Sequence, residues 1–423
     1  MLLCQRRFLP LFLTQFLGAF NDNIYRNAFA ILITYRLSNW HGWTTSTLVA
    51  FATALFMLPF FLFSATAGEI AERFERSRLI VIAKSIEIVL MGLATFGLYV
   101  MHVGLLLTIL FLLGAQTAFF GPLKYVILPQ HLSKNELLLG NGWIEASTFA
   151  AILLGTVAGS LLILKTYGVW WVGLLLMGVS MIGWIISRYI PLAPAEGTDT
   201  RVDWRFWRDI ARVMRYAAKH RTIFLIILGI SWFWLVGAIF LSELAIVTKT
   251  ILHANPEVVT TFFALFAVGI GVGAIGCHYI LRGAVKTTYV PWGALGMAIF
   301  TGDFVWIGQG MAHEVVPAAL WDIVTFWDVA VHFRLACDFL LFAVFGGLFI
   351  VPLYALLQIE SHPSHRARVL AANNIWNALF MVFGTAMTMG LLWLGASLLS
   401  VFLLTAIGNL LLACGWWLRS VRR

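Results

Sequence analysis

A small set of ionisable and amide side chains interrupts stretches that are otherwise almost wholly apolar, and their spacing defines the chemistry to consider. An ionised group in hydrocarbon costs at least about 2.5–3.5 kcal/mol, so it faces a partner or a wet cavity. Asp22 lies between Asn21 and Asn23, with Arg26 one helical turn later. Acid before base at i, i+4 is the favourable order for an intrahelical ion pair. A carboxylate there either meets a cationic group or serves as a structural pair. Lys124 follows Gly121-Pro122, where proline frees a backbone carbonyl and allows a bend. A lysine is a compact positive charge suited to a phosphate, the bland alternative being a side chain snorkelling to the nearby end of its span. Glu145 lies four residues after Asn141, on one helical face, placed to balance Lys124 or Arg26. Asn374 and Asn377 form a similar patch later in the chain. Lys84 and Glu87, at i, i+3, read as a structural or gating pair. Glu72, Arg73 and Arg76 read as a latch at the end of a span. Asp303 and Asp338 are candidate protonatable groups for ion coupling, with Asp338 expected near the outer mouth and hydrated.

Other chemistries find no support. The chain has no G-x-x-x-x-G-K-[ST] loop, so ATP is not expected to drive it directly. Gly271-Val272-Gly273-Ala274-Ile275-Gly276 satisfies G-x-G-x-x-G but lies inside an apolar span with no preceding strand, so close helix packing explains it better. The four cysteines are scattered singly, implying neither a disulfide framework nor a zinc site. No cofactor, no metal and no enzymatic activity are expected.

The elements that hold these residues follow from composition. Of 423 residues, 61% are apolar and 11% charged, about half the charged share of an ordinary soluble domain. A helix needs about 20 mostly apolar residues to cross the hydrocarbon core. Twelve such stretches are predicted: 8–36, 45–71, 79–101, 104–128, 138–164, 169–190, 221–248, 258–281, 289–311, 335–357, 367–394 and 398–418. The opening MLLCQRRFLP reads as the start of the first span. Most of the 28 Lys and Arg fall on one side; the other side holds Arg36, Lys165, Lys249 and Arg334, while Arg26, Lys84 and Lys124 lie inside spans. The positive-inside rule then places both termini in the cytoplasm. The longest connection, 191–220, opens as a flexible linker, PLAPAEGTDT. It continues as an amphipathic helix with Trp207, Ile210, Ala211, Met214 and Ala217 on one face and Arg205, Arg208, Arg212, Arg215 and Lys219 on the other. Such a helix either lies on anionic lipid or ties two bundles together. The net charge of +9 thus needs no nucleic acid.

The two halves echo each other. FFGPLKYVILPQ (119–130) parallels FIVPLYALLQ (349–358), and NGWIEA (141–146) parallels NNIWNA (373–378). Duplicated six-helix halves mark a transporter, with the binding site near the bilayer midplane. The expected organisation is an N-terminal bundle over 1–190, a linker over 191–220 and a C-terminal bundle over 221–423.

Particular motifs strengthen this reading. Gly68-Glu69-Ile70-Ala71-Glu72-Arg73-Phe74-Glu75-Arg76 resembles the G-x-x-x-D-R-x-G-R loop of the major facilitator superfamily, with Glu72 for Asp and Glu75 for the second Gly. QFLGAFNDN (15–23), GPLKYVILPQHL (121–132), NGWIEASTFAAILLGTVAGS (141–160) and GGLFIVPLYALLQ (346–358) resemble the bacterial lysophospholipid transporter family. SWFWLVGAIFLSEL (231–244) is similar to the transporter module fused in some bacteria to acyltransferase and acyl-carrier-protein (acyl-ACP) synthetase domains. Where stand-alone members carry a basic residue in span seven, Leu241 stands here.

The resemblance implies an all-α membrane fold of two pseudo-symmetric six-helix bundles in the bacterial inner membrane. It also implies movement of a lysophosphatidylethanolamine-like lipid to the cytoplasmic leaflet, with the re-acylating acyltransferase or acyl-ACP synthetase a separate chain. The headgroup would meet Asp22, Asn23, Arg26, Lys124, Glu145, Asn141, Asn374 and Asn377, with the tail along Phe119 and Phe120. Two rival readings are a proton-coupled exporter of small amphipathic solutes and a non-transporting subunit of an acyltransferase system.

Overall fold

The computed structural model describes residues 2–37, 42–196, 206–311 and 320–421. Each expected span is a helix, with ends displaced by a few residues at most. They are α1 (Leu9–Tyr35), α2 (Thr45–Arg73), α3 (Arg76–Tyr99), α4 (Val103–His131), α5 (Leu137–Ile163) and α6 (Gly168–Ser187), then α8 (Arg221–Thr250), α9 (Pro256–Ile280), α10 (Val290–Met311), α11 (Ala330–Glu360), α12 (Arg366–Trp393) and α13 (Leu398–Val421). Between the two sets lies α7 (Phe206–Lys219). Among the described residues no β-strand occurs. Among the described residues eleven helices are long and apolar enough to cross a membrane by length and composition alone. The exception among the long helices is α1, whose 27 residues carry the polar run Asn21-Asp22-Asn23 with Arg26 and Asn27.

Local chemistry sets the helix ends. Thr44 caps α2 by accepting from the Thr47 N–H, and the His102 ring nitrogen accepts from the Leu105 N–H at 3.0 Å to start α4. Ser133 and Glu136 form a capping box ahead of α5. Glu75 caps α3, accepting from the Ser77 and Arg78 N–H groups. Burial works against ionisation of Glu75, yet the Ser77 hydroxyl and the surrounding backbone N–H groups hold its carboxyl below the usual carboxylate range.

The chain divides into two compact units. Unit 1 comprises Met1–Gly140, Ser147–Ile227 and Leu357–Ala378; unit 2 comprises Asn141–Ala146, Leu228–Leu356 and Leu379–Arg423. The core of unit 1 gathers Tyr25, Phe29, Phe56, Met91, Leu110 and Leu176 from five helices. Small residues let α5 approach α1 there. A β-carbon at Gly155 would come 2.5 Å from the Phe20 carbonyl oxygen, and one at Gly159 would collide with that of Ile24. The core of unit 2 is aromatic. Phe240 stacks on Phe342 and Phe402 at 4.3 Å each, and Phe262, Phe266 and Phe304 surround Phe339.

The start of the long connection departs from expectation. Residues 190–196 are fastened down, with Ala193 fully buried. The Ala193 N–H donates to Glu75, and its carbonyl accepts from the Arg76 N–H. Gln130 donates to the Pro194 carbonyl, and Glu196 accepts from Arg76 at 3.0 Å. Composition marks this stretch as a linker, but the Glu75 carboxylate and donors on α3 and α4 satisfy its backbone, which composition does not register. The rest of the expected flexible segment, with Arg205 and the Trp207 side chain, lies outside the described residues.

The α7 helix packs on α2 within unit 1. Its buried stripe is Ile210, Val213 and Ala217, with Met214 half-buried and Ala211 exposed. The face is therefore rotated by about one residue from the one read in the sequence, and it meets protein.

Candidate functional site

Unit 1 places a polar layer midway along its helices. Lys84 Nζ and Glu87 Oε2 pair at 2.6 Å with side chains 1% and 2% exposed. They occupy consecutive turns of α3 on one face, as the i, i+3 spacing requires. Asn21 Nδ2 on α1 donates to Glu87 Oε1 at 3.3 Å, and Lys84 lies 5.2 Å from the Phe120 ring centroid on α4. One residue on, Asp22 Oδ2 accepts from Thr117 Oγ1 on α4 at 3.0 Å, while Oδ1 is buried without a hydrogen-bond partner. The expected ion pair with Arg26 is not the arrangement found. The Arg26 guanidinium instead lies 4.4 Å from the Phe56 centroid on α2, drawn over an aromatic face. Asn23 turns back to the Ala19 carbonyl.

Along α4, Phe119 is half-buried, Phe120 buried and Lys124 half-buried, with Lys124 Nζ 4.9 Å from the Tyr125 centroid. On α12, Asn374 and Asn377 are half-buried, and a β-carbon at Gly121 of α4 would come 2.8 Å from Asn374 Nδ2. Their neighbour Asn373 is buried, and neither its oxygen nor its nitrogen has a hydrogen-bond partner. Asn141 and Glu145 are buried on the α5 segment assigned to unit 2.

A second charged network gathers at the end of unit 1 that carries loop 74–75. Glu72 Oε2 on α2 meets Arg368 Nε on α12 at 2.9 Å, and Glu72 Oε1 accepts from the Arg368 N–H. Arg76, fully buried, donates to the Ala71 carbonyl and to Glu196, which also lies 3.5 Å from Arg366. Arg73 stays outside this network. It is exposed, against the Phe74 ring at 5.6 Å. Arg212 of α7 donates to Glu69 at 3.0 Å and lies 3.7 Å from Asp209. Asp209 is fully buried against Glu69; burial and that neighbouring carboxylate push its carboxyl up to about 8. Sequence reading did not single out Arg368, Glu69, Asp209, Glu196 or Thr117. Apart from Thr117, these are charged residues at span ends (Glu69, Arg368) or in the connection between the two sets of spans (Glu196, Asp209), where unpaired solvated charges are commonplace.

In unit 2, Arg334 of α11 grips Asp303 of α10 through Nε at 3.1 Å and Nη2 at 2.7 Å. Asp338, one turn along α11, is 4% exposed. It is buried where a hydrated group was expected. Of the G-x-G-x-x-G glycines, Gly273 presses on the Val344 carbonyl, Gly271 makes ordinary contact with Ala146 and Gly276 meets nothing within 4 Å. Helix packing therefore needs one of the three. Among the described residues no cluster of His, Cys, Asp or Glu is arranged to hold a metal.

The family model of the Major Facilitator Superfamily matches residues 11–385. The lysophospholipid transporter LplT of Klebsiella pneumoniae subsp. pneumoniae is 28% identical over 377 residues, 87% of this chain and 84% of that protein. The transporter of that name from Escherichia coli O1:K1 / APEC is 27% identical over 379 residues, 88% of this chain and 85% of that one. Among solved structures, the human organic anion transporter MFSD10 has a TM-score of 0.75 at 14% identity, covering 97% of this chain and 98% of the other. An outward-facing bacterial homologue of the iron transporter ferroportin has a TM-score of 0.71 at 15% identity, covering 97% and 99%. At such identities the structural likeness speaks for the fold alone.

Proposed function

Because the chain belongs to the major facilitator superfamily, we propose that it is a secondary transporter carrying a lysophospholipid, of the lysophosphatidylethanolamine kind. In this reading the lipid crosses the inner membrane into the cytoplasmic leaflet, where a separate acyltransferase or acyl-ACP synthetase re-acylates it. The bundles 1–190 and 221–423, joined by 191–220, rearrange to alternate access. Similarity to curated lysophospholipid transporters over 87% of the chain supports the cargo.

The observation that carries the reading is Asp22 Oδ1, a carboxylate oxygen buried at mid-depth in an apolar bundle with no hydrogen-bond donor on it. A buried acceptor without a partner is costly, and a cargo ammonium supplies both charge and donors. Lys124 and Arg26 then serve the phosphate, with Asn23, Asn141, Glu145, Asn374 and Asn377 proposed as further headgroup contacts. The acyl chain gains about 0.8 kcal/mol per buried CH₂, so it stays in apolar surroundings along Phe119 and Phe120 while the head crosses. Glu72, Arg76, Lys84 and Glu87 are assigned to gating, with Arg368 in the part expected for Arg73.

Proteoliposomes containing labelled lysophosphatidylethanolamine test this. Protein-dependent movement is expected, falling about tenfold or more in Asp22→Asn and Lys124→Ala, the scale of one lost charge-assisted hydrogen bond. No movement of this lipid, with uptake of a small amphipathic solute instead, would favour an exporter. No transport at all, with unchanged re-acylation in both variants, would point to a non-transporting subunit.

A further inference from the structure

Asn373 on α12 carries a primary amide whose two polar atoms are both unmet. The residue is 1% exposed, and neither Oδ1 nor Nδ2 has a hydrogen-bond partner. The oxygen accepts and the nitrogen donates, and each buried group left without a partner costs about 1–3 kcal/mol. The next residue, Asn374, also has a buried Nδ2 without a partner. A β-carbon at Gly121 of α4 would come 2.8 Å from that nitrogen, so a glycine is what lets α4 approach the amide. These residues all belong to unit 1. Lys124, assigned above to the phosphate, follows Gly121 at i, i+3 on one face of α4. Asn374 and Asn377 are half-buried, so Asn373 adjoins side chains that solvent reaches.

Few groups satisfy both atoms of this amide at once. An ammonium only donates, while a phosphodiester and an ester only accept. A hydroxyl does both: its proton goes to Oδ1 while its oxygen accepts from Nδ2, closing a small ring on the amide. A 1-acyl lysophospholipid carries one such group, the glycerol hydroxyl, on the carbon next to the one that bears the phosphate. A diacyl lipid has an ester there instead. Hydroxyl and phosphate therefore lie within about one helical turn of each other, ~5.4 Å, the scale of the step from Gly121, beside Asn374, to Lys124. We propose that Asn373 recognises the glycerol hydroxyl of the cargo and so sets the choice of lysolipid over diacyl lipid. A site built to bond a hydroxyl rejects an analogue lacking it far more strongly than an apolar pocket rejects an extra methylene. The proposal rests on the transport reading above and deepens it. Asp22 and Lys124 answer the headgroup that both kinds of lipid share; Asn373 answers the group that only the lysolipid has.

The full chain in proteoliposomes tests this with three labelled lipids that share one acyl chain and an ethanolamine headgroup. They are the lysolipid, its 2-deoxy analogue and its 2-O-methyl ether, which accepts but does not donate. Wild-type uptake of the lysolipid is expected to exceed that of either analogue about tenfold or more, the scale of one unmet buried polar group. In Asn373→Leu, a side chain of nearly the same shape, lysolipid uptake is expected to fall to the level of the analogues. A lysolipid-to-analogue ratio of one in the wild type, or an undiminished ratio in the variant, overturns the proposal and leaves the transport reading standing. No uptake of any of the three removes the transport reading and this proposal with it. Thermal unfolding in detergent, without added lysolipid, supplies a check that needs no transport. Removing an unmet amide is expected to leave Asn373→Leu or Asn373→Val at least as stable as the wild type. A clear drop in midpoint shared by both would show that the amide is already bonded within the protein, and would overturn the proposal. If Asn373→Leu does not insert, Asn373→Val carries both measurements.

Discussion

At the scale of residues, the informative feature of unit 1 is how differently two neighbouring charges are satisfied. Lys84 and Glu87 are sealed from solvent and spend their charges on each other, with Asn21 as an added donor. Asp22, one residue along α1, has a neutral hydroxyl from Thr117 on one oxygen and no donor on the other. The first arrangement suits structure or gating; the second leaves capacity for a ligand. Removing one member of a sealed pair strands the other in low dielectric. Lys84→Met is therefore expected to lower stability by roughly 3–5 kcal/mol, whereas Lys84→Met with Glu87→Leu recovers most of it. Thermal unfolding of the purified variants in one detergent checks this; equal losses in the single and double variants would show that packing, not charge, is at stake.

Among the elements, α7 shows how a basic amphipathic helix becomes a tertiary one. Its apolar stripe is covered by α2, and Arg212 spans Glu69 and Asp209. Asp209 is the titrating member, its carboxyl pushed from an ordinary 3.8 up to about 8 by burial and by Glu69. The docked helix thus keeps a proton that the undocked helix releases near pH 4. By linkage, docking is fully favoured below about pH 4, weakens as pH rises through that interval and levels off above about 8. A spin label at exposed Ala218 is expected to gain mobility between pH 6 and about 8, and Asp209→Asn is expected to flatten the profile. Unchanged label mobility across the range in the unsubstituted protein would mean that α7 is held by its apolar stripe alone.

For the whole molecule, the distribution of basic residues predicts orientation. An impermeant maleimide on intact cells is expected to label Thr44→Cys, while Asn135→Cys requires permeabilisation, both in a background lacking the four native cysteines. The reverse pattern would invert the assignment of sides. The twelve long helices and the helical connection were all legible from apolar run length and charge placement, because a span in lipid must satisfy its backbone internally and so declares itself locally. The i, i+3 pairing of Lys84 with Glu87 was legible for the same reason, since both partners belong to one helix. What composition could not give were partners distant in sequence. Thr117 for Asp22, Phe56 for Arg26, Arg368 for Glu72, Glu69 for Asp209 and the fastening of 190–196 each depend on which faces of separate helices meet. A hydrogen bond or ion pair reaches only a few ångströms, so its partner is chosen by packing. The sequence therefore determined the helices, their order and the polar residues carried among them; the tertiary structure decided which charges are spent on one another and which buried oxygens, like Asp22 Oδ1 and Asp338 Oδ2, have no donor.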